Sequence, residues 1–468
     1  MGTIIKNGTI VTASDTYQAD ILIEGEQITL IGRNLPTAGH DEIDATGKLL
    51  LPGGIDVHTH LELPFGGTTS SDDFFTGHQA AAFGGTTTHI DFAIQPKGGS
   101  LRQGIEQWHQ KAAGKAAIDY GFHMAITDLR DEVMTEIPAL VSEGVTSLKL
   151  FMAYKGVFQV DDTTLFRSML KAAEHGMLIM VHAENGDVVA ELTQQLLAEG
   201  KTAPKYHAVS RPPIAEGEAT GRAVALAGIA GAPLYVVHMT CTDALEQLAL
   251  GRDKGYKVMG ETCTQYMFIF ADDLGKPGFE GAKFVCSPPM RQPKDATALW
   301  KALANNTLQA VSTDHCPFWY EGGVNGRSAG KELGKSGFDK IPNGVPGIED
   351  RMAVMWQHGV NGGHFSANRF VELTSTNPAK IFGLYPRKGV IAIGADADLV
   401  VWDPAKAHTI SARTHHMRTD YNLYEGMTVQ GWPERVLLRG RTLVHGEQWL
   451  GQQGTGQFLR RHAHAEIL

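Results

Sequence analysis

Short apolar runs broken by turn residues open the chain: Ile4-Ile5, Thr9-Val11, Ile21-Glu24 and Ile28-Gly32, punctuated by Asn7-Gly8 and Glu24-Gly25. Runs of this length between Asn-Gly and Glu-Gly signals predict strands joined by tight turns, so residues 1–50 are expected to form part of a small β module. From residue 51 to about 385 the pattern changes. Eight apolar runs, Leu50-His58, Thr86-Phe92, Asp119-Met124, Ser147-Met152, Met177-His182, Pro233-His238, Lys257-Glu261 and Leu308-Thr313, alternate with helical stretches such as Leu101-Ala113, Asp131-Ser142, Asp162-His175, Thr242-Arg252 and Lys294-Asn305. Strand-then-helix units repeated in this way predict an α/β fold, a (β/α)8 barrel. β character returns in Gly389-Ile393, Ala397-Trp402 and Trp432-Val444. Residues 386–450 are therefore expected to complete the β module, a flanking sandwich built from both chain ends. Residues 451–468 are expected to form an arm reaching over a neighbouring subunit.

Composition narrows the function class. A chain of 468 residues allows one large domain and a smaller one. The formal net charge of -10, with no basic run, disfavours nucleic acid and anionic membranes as partners. No long apolar stretch follows Met1-Gly-Thr-Ile-Ile-Lys6, so no signal peptide is read there, and no run reaches membrane-spanning length. Cys241, Cys263, Cys286 and Cys316 lack Cys-x-x-Cys spacing, which fits free thiols in a reducing, cytoplasmic compartment. A small-molecule enzyme is the expectation.

Candidate chemistry lies at the ends of the predicted strands, which a barrel gathers into one mouth. Pro52-Gly-Gly-Ile-Asp-Val-His-Thr-His60 places two imidazoles on one strand face, separated by a rise of roughly 6.6 Å. A bare His-x-His is more often a turn with two solvated histidines than a metal site. Lys149 near the end of the fourth strand, His182 on the fifth, His238 on the sixth and Asp314 after the eighth change that balance, because six metal-competent groups then converge from five strands. Lys149 sits among Leu148, Leu150 and Phe151, and burial of this kind depresses a lysine pKa. A neutral amine can take up CO2 as a carbamate, an N6-carboxylysine able to give one oxygen to each of two ions.

The chain resembles the D-hydantoinase and dihydropyrimidinase family of cyclic amidohydrolases, a branch of the binuclear metal amidohydrolases, along essentially its whole length. The motifs that carry the resemblance are the His58/His60 segment, Ala82-Phe-Gly-Gly-Thr-Thr-Thr88, Ser147-Leu-Lys-Leu-Phe-Met-Ala-Tyr-Lys155 and Val181-His-Ala-Glu-Asn-Gly186. Further on come Val237-His238, Ser287-Pro-Pro289, Thr313-Asp-His-Cys-Pro317, Ile341-Pro-Asn-Gly344 and Gly394-Ala-Asp-Ala-Asp398. The resemblance implies that His58, His60, carboxylated Lys149 and Asp314 bind one ion, and that carboxylated Lys149, His182 and His238 bind a second. Zinc is the usual occupant, and manganese or cobalt suits the same donors. It implies ring opening of 5-substituted hydantoins or 5,6-dihydropyrimidines to N-carbamoyl amino acids by a metal-bridging hydroxide. In that scheme Asp314 is general base and acid, Tyr154 donates to the oxyanion, and the main chain at Ser287 and Asn343 binds the cyclic ureide. A homotetramer is the implied assembly.

An apolar wall for the ring substituent is expected from Leu63, Phe65, Phe92, Phe151 and Phe158. Residues 319–330, Trp319 to Gly330, read as longer than the usual family loop, with a place over the pocket or against another subunit. Two rival readings share the fold. An allantoinase or dihydroorotase needs a positive group or a more polar lid, against which Leu63-Pro-Phe65 and Phe92 speak. A non-catalytic scaffold would lack metal ligands, and all six are present.

Overall fold

The computed structural model describes residues 2–464. Eight parallel strands, Gly54–Thr59, Thr86–Ile94, Asp119–Ala125, Ser147–Phe151, Leu178–His182, Leu234–Val236, Val258–Cys263 and Ala310–Ser312, follow one another in sequence order around a single sheet. Ladders join each to the next. The seam between the eighth and first strands is closed differently, by a Thr59↔His315 bridge and by His60 N donating to His315 O at 2.9 Å. Arg351, fully buried, reinforces the seam by donating to both Ile55 O and Val311 O at 2.9 Å. Ile55, Val57, Ile90, Phe92, Leu178, Met180, Tyr235 and Met259 form an apolar cluster with Phe382 and Leu384, so the barrel is a packed core and only its mouth is open to chemistry.

The sandwich is built from both chain ends. One sheet orders Gln27–Gly32, Asp20–Glu24, Thr3–Lys6 and Asp41–Asp44. The other, of seven strands, includes Thr9–Val11, Leu49–Pro52, Leu399–Thr409 and Thr428–Leu438. Ile5, Ile10, Ile21, Leu50, Leu399, Val401 and Leu437 fill the space between the sheets. The single apolar run expected from Leu50 to His58 is two strands that belong to the two different bodies. The pivot is Gly53, where a Cβ would lie 2.0 Å from Thr87 Oγ1; only a residue without one lets the chain pass.

Several expected elements differ. Gly389–Ile393 is not a strand: the segment is irregular, with Gly389 at φ 78° and packed on the Ser375 carbonyl. Asp131–Ser142 is two short helices, Asp131–Met134 and Ile137–Ser142, with Pro138 in the first turn of the second, where a missing N–H costs nothing. Trp432–Val444 is the end of one strand and the start of the next, turned by Arg439 and Gly440, both at positive φ. Helices Gly186–Ala198 and Pro213–Ala230 complete the outer ring. The C-terminal tail does not depart as an arm within its described residues. It lies back on its own barrel: Leu459 N donates to Tyr120 O at 2.7 Å, and the buried Arg461 donates to Phe122 O and Ser147 Oγ. The four cysteines are free and buried. Among the described residues no helix is long and apolar enough to cross a membrane.

Candidate metal and substrate site

The strand ends deliver their side chains to one pocket at the barrel mouth. His58, His60, Lys149, His182, His238 and Asp314 lie in its floor, all buried. Leu63, Phe65, Phe151, Tyr154, Phe158, Ser287 and Asn343 form its walls, together with Ile94, Cys316 and Gly344. Phe92 does not line the cavity, contrary to expectation. Phe92 shares the inward face of its strand but lies one layer deeper, its ring beneath the imidazoles with centroids 4.6 Å from His58 and 5.0 Å from His60, and becomes a support. Ile94, two residues on, takes the wall position.

The backbone at the site is held in uncommon conformations. Tyr154, His238 and Asp314 all have positive φ, at 68°, 38° and 52°. Non-glycine residues adopt such angles only where the surroundings over-determine them, and they cluster at functional positions.

Donor atoms face one another in a way that calls for a cation. The His58 Nδ1 lies 2.6 Å from Glu261 Oε1, a buried carboxyl that also accepts from Tyr235 OH at 3.1 Å. That contact places the proton of a neutral ring on Nδ1 and turns the Nε2 lone pair toward Asp314 Oδ1, 3.1 Å away; His60 Nε2 is at the same distance from that oxygen. Across the floor, His182 Nε2 meets Glu184 Oε2 at 2.7 Å, and His182 Nδ1 is directed at His238 Nε2 at 3.0 Å. The buried atoms Lys149 Nζ and His238 Nδ1 have no hydrogen-bond partner. His58, His238 and Asp314 offer ligand atoms all within 4.8 Å of one another. Lone pairs and a carboxylate brought this close repel unless a proton or a metal ion lies between them, so the residues present fit divalent ions.

Electrostatics agree with that fit for three of the four histidines, while at His58 burial is outweighed by the Asp314 and Glu261 carboxylates, which raise its pKa. Burial disfavours charge on His60, His182 and His238 and lowers their pKa values, His238 well below the ordinary value. Burial likewise lowers Lys149 to about 8, against the opposing pull of Asp314 and Glu261. Asp314 is held well below the usual carboxylate range: burial pushes it up, but His58 and His60 outweigh that. Tyr154 is raised by burial and stays a protonated donor at neutral pH.

Sequence reasoning missed the carboxyls behind the candidate ligands. Glu261 closes the predicted seventh strand and was signalled by the strand-end rule that found the histidines. Glu184, two residues beyond His182, pairs with Arg211 at 2.7 Å, and nothing local announces a partner so far along the chain. The loop 319–330 is tied down on two sides. Tyr320 N and Arg327 Nη1 donate to Asp420, and Ala329 O accepts from Thr68 Oγ1 in the hairpin that carries Phe65.

An α/β barrel with an imidazole- and carboxylate-rich mouth is the architecture of a metal-dependent hydrolase. The amidohydrolase family model matches residues 49–443. The chain is 53% identical to D-hydantoinase of Geobacillus stearothermophilus, over 100% of this chain and 98% of that one, and 51% identical to D-hydantoinase of Streptomyces coelicolor, over 98% of each. The crystal structure of dihydropyrimidinase from Brevibacillus agri superposes with a TM-score of 0.97 at 54% identity, covering 99% of this chain and 100% of that one. The chain belongs to the amidohydrolase family, in the group of D-hydantoinases and dihydropyrimidinases.

Proposed function

We propose that this chain hydrolyses the cyclic amide bond of ring ureides, 5-substituted hydantoins and 5,6-dihydropyrimidines, opening them to N-carbamoyl amino acids. The observation that carries the reading is the meeting of His58, His60, Lys149, His182, His238 and Asp314 in the floor of a cavity whose walls are largely apolar. His58, His60, Lys149 and Asp314 would hold one divalent ion and Lys149, His182 and His238 a second, with Lys149 as its carbamate. Zinc suits the nitrogen-rich set, and manganese or cobalt is compatible. Such ions supply Lewis acidity to a carbonyl and lower the pKa of water toward neutrality.

The chain's own groups do the rest. Asp314, ionised and at the floor, takes the proton released by the attacking water and returns it to the leaving ring nitrogen. Tyr154 donates its hydroxyl to the oxygen that gains charge as the carbonyl becomes tetrahedral. The main chain at Ser287 and Asn343 orients the ureide, and Asn343 Nδ2 donates to Ser287 Oγ at 3.1 Å to hold the two segments together. Leu63, Phe65, Phe151 and Phe158 take the ring substituent. Phe65 and Phe158 stack at 5.8 Å and Phe151 tilts against Phe158 at 5.1 Å, a surface suited to an apolar or aromatic group.

The test is hydrolysis of dihydrouracil and of 5-substituted hydantoins by purified protein of measured metal content. Ring opening that is lost to a chelator and restored by metal is expected; no turnover of either ring by metal-loaded protein overturns the reading. We further propose a cytoplasmic homotetramer, which light scattering at working concentration checks, a monomer being the contrary result.

A further inference from the structure

Lys331 is fully buried, and among the described residues it pairs with no carboxylate. Its ammonium donates to three main-chain carbonyls, Val285 O at 2.8 Å, Pro342 O at 2.8 Å and Gly344 O at 2.7 Å. A lysine ammonium has three donors and no acceptor, so its hydrogen-bonding capacity is spent here on backbone alone. The three acceptors come from two segments far apart in sequence. Val285 lies two residues before Ser287, and Pro342 and Gly344 flank Asn343. Ser287, Asn343 and Gly344 all line the cavity.

Few other ties join these segments: Gly344 N donates to Val285 O at 3.1 Å, and Asn343 Nδ2 to Ser287 Oγ at 3.1 Å. Gly344 is pressed against the next wall, since a Cβ there would lie 2.3 Å from Cys316 O. Burying a cation without a counter-charge is unfavourable, and its persistence calls for a compensating role. Burial accordingly lowers Lys331 to about 7, with the Cys286 and Cys316 thiols opposing. Lys331 also closes the loop 319–330, its N–H donating to Trp319 O at 2.7 Å. The long loop thus runs into the residue that holds the ring-facing backbone.

We propose that Lys331 is a positioning residue for the substrate ring, clamping the Val285–Ser287 and Pro342–Gly344 segments in the register that presents their main-chain groups to the cyclic ureide. The proposal rests on the ureide reading above. It predicts an effect on binding of the ring and little on the chemistry of the floor, because Lys331 touches no residue placed there.

The experiment compares K331M and K331Q with wild type as metal-loaded holoenzymes. Losing hydrogen bonds from a charged group should raise KM for the ureide by about 10-fold or more in K331M, with kcat within about 3-fold and metal content unchanged, the pattern of lost uniform binding. K331Q, which keeps a two-donor amide, should fall between. A fall in kcat at constant KM, or unchanged kinetics, overturns the proposal, as does failure of both variants to fold, which would make Lys331 a folding residue only. A crystal structure of K331Q supplies a readout independent of turnover. Separation of Asn343 from Ser287 beyond hydrogen-bond distance supports the clamp, and an unmoved pair refutes it. Absence of ureide hydrolysis by wild type would fell the functional reading alone, and the K331Q geometry would still decide the clamp.

Discussion

Replacing Glu261 by glutamine should weaken metal binding without unfolding the barrel. Glu261 is buried, with Oε1 2.6 Å from His58 Nδ1 and Oε2 accepting from Tyr235 OH at 3.1 Å, and it lies 3.4 Å from the His238 main-chain nitrogen. One carboxyl therefore sets the tautomer of one candidate ligand and the strand end that carries another. Glutamine preserves the shape and can still accept from Nδ1 through its carbonyl oxygen, while its amide group turns to Tyr235, whose hydroxyl can accept. What is lost is the charge that makes His58 a stronger base, and loss of such outer partners costs on the order of 10–100-fold in metal affinity or activity, about 1.4–2.7 kcal/mol. Glu261→Ala should be worse by a second route. It strands the Nδ1 proton and the Tyr235 hydroxyl in a dry site, at ~1–3 kcal/mol of stability each. The assay is competitive chelator titration of the holoprotein, with thermal unfolding of the metal-free form in parallel. Wild-type metal affinity and turnover in E261Q would refute the account of how His58 is oriented.

Four further outcomes are expected. Lys149→Ala should lose binuclear metal binding, with partial recovery on adding short carboxylates that stand in for a carbamate; mass spectrometry of active protein with an unmodified Lys149 amine would count against it. Asp314→Asn should lower kcat by about 10²–10⁴-fold with the fold retained, and Tyr154→Phe by about 10²–10³-fold with metal content unchanged; near-full kcat in Tyr154→Phe returns that residue to packing. Asp350, pushed up to about 8 by burial and by the neighbouring Glu349, is protonated in the fold and ionised in the unfolded chain between about pH 4 and 8. The unfolded state then binds fewer protons, so stability falls as pH rises through that window, by up to about 1.4 kcal/mol per pH unit. Asp350→Asn should flatten that slope, and parallel urea-stability profiles for the two proteins would contradict the shift.

The candidate ligand set was legible because strand period and barrel geometry act locally: alternation puts one side chain in two on a given face, and parallel strands end at the same rim. The rule located His58, His60, Lys149, His182, His238 and Asp314 without knowledge of their neighbours, and the structure brings all six to one cavity. The pairing of both chain ends into a sandwich was likewise visible, since turn-rich alternating runs flank the barrel. What sequence could not decide is what depends on contact between distant segments. Phe92 reads as an apolar wall residue in one dimension, yet its depth in the barrel interior places it under the imidazoles. The run from Leu50 to His58 reads as one strand until Thr87 closes on Gly53 and divides it. Glu184 meets Arg211 and Lys331 meets Val285 across long stretches of chain. The C-terminal tail carries no periodicity, and hydrogen bonds with distant barrel segments, among them the Ala116, Tyr120, Phe122 and Gly144 carbonyls, determine where it lies. Local sequence sets which face a side chain takes; the partner on that face is chosen only when the chain closes, because burial makes every unpaired donor, acceptor and charge costly.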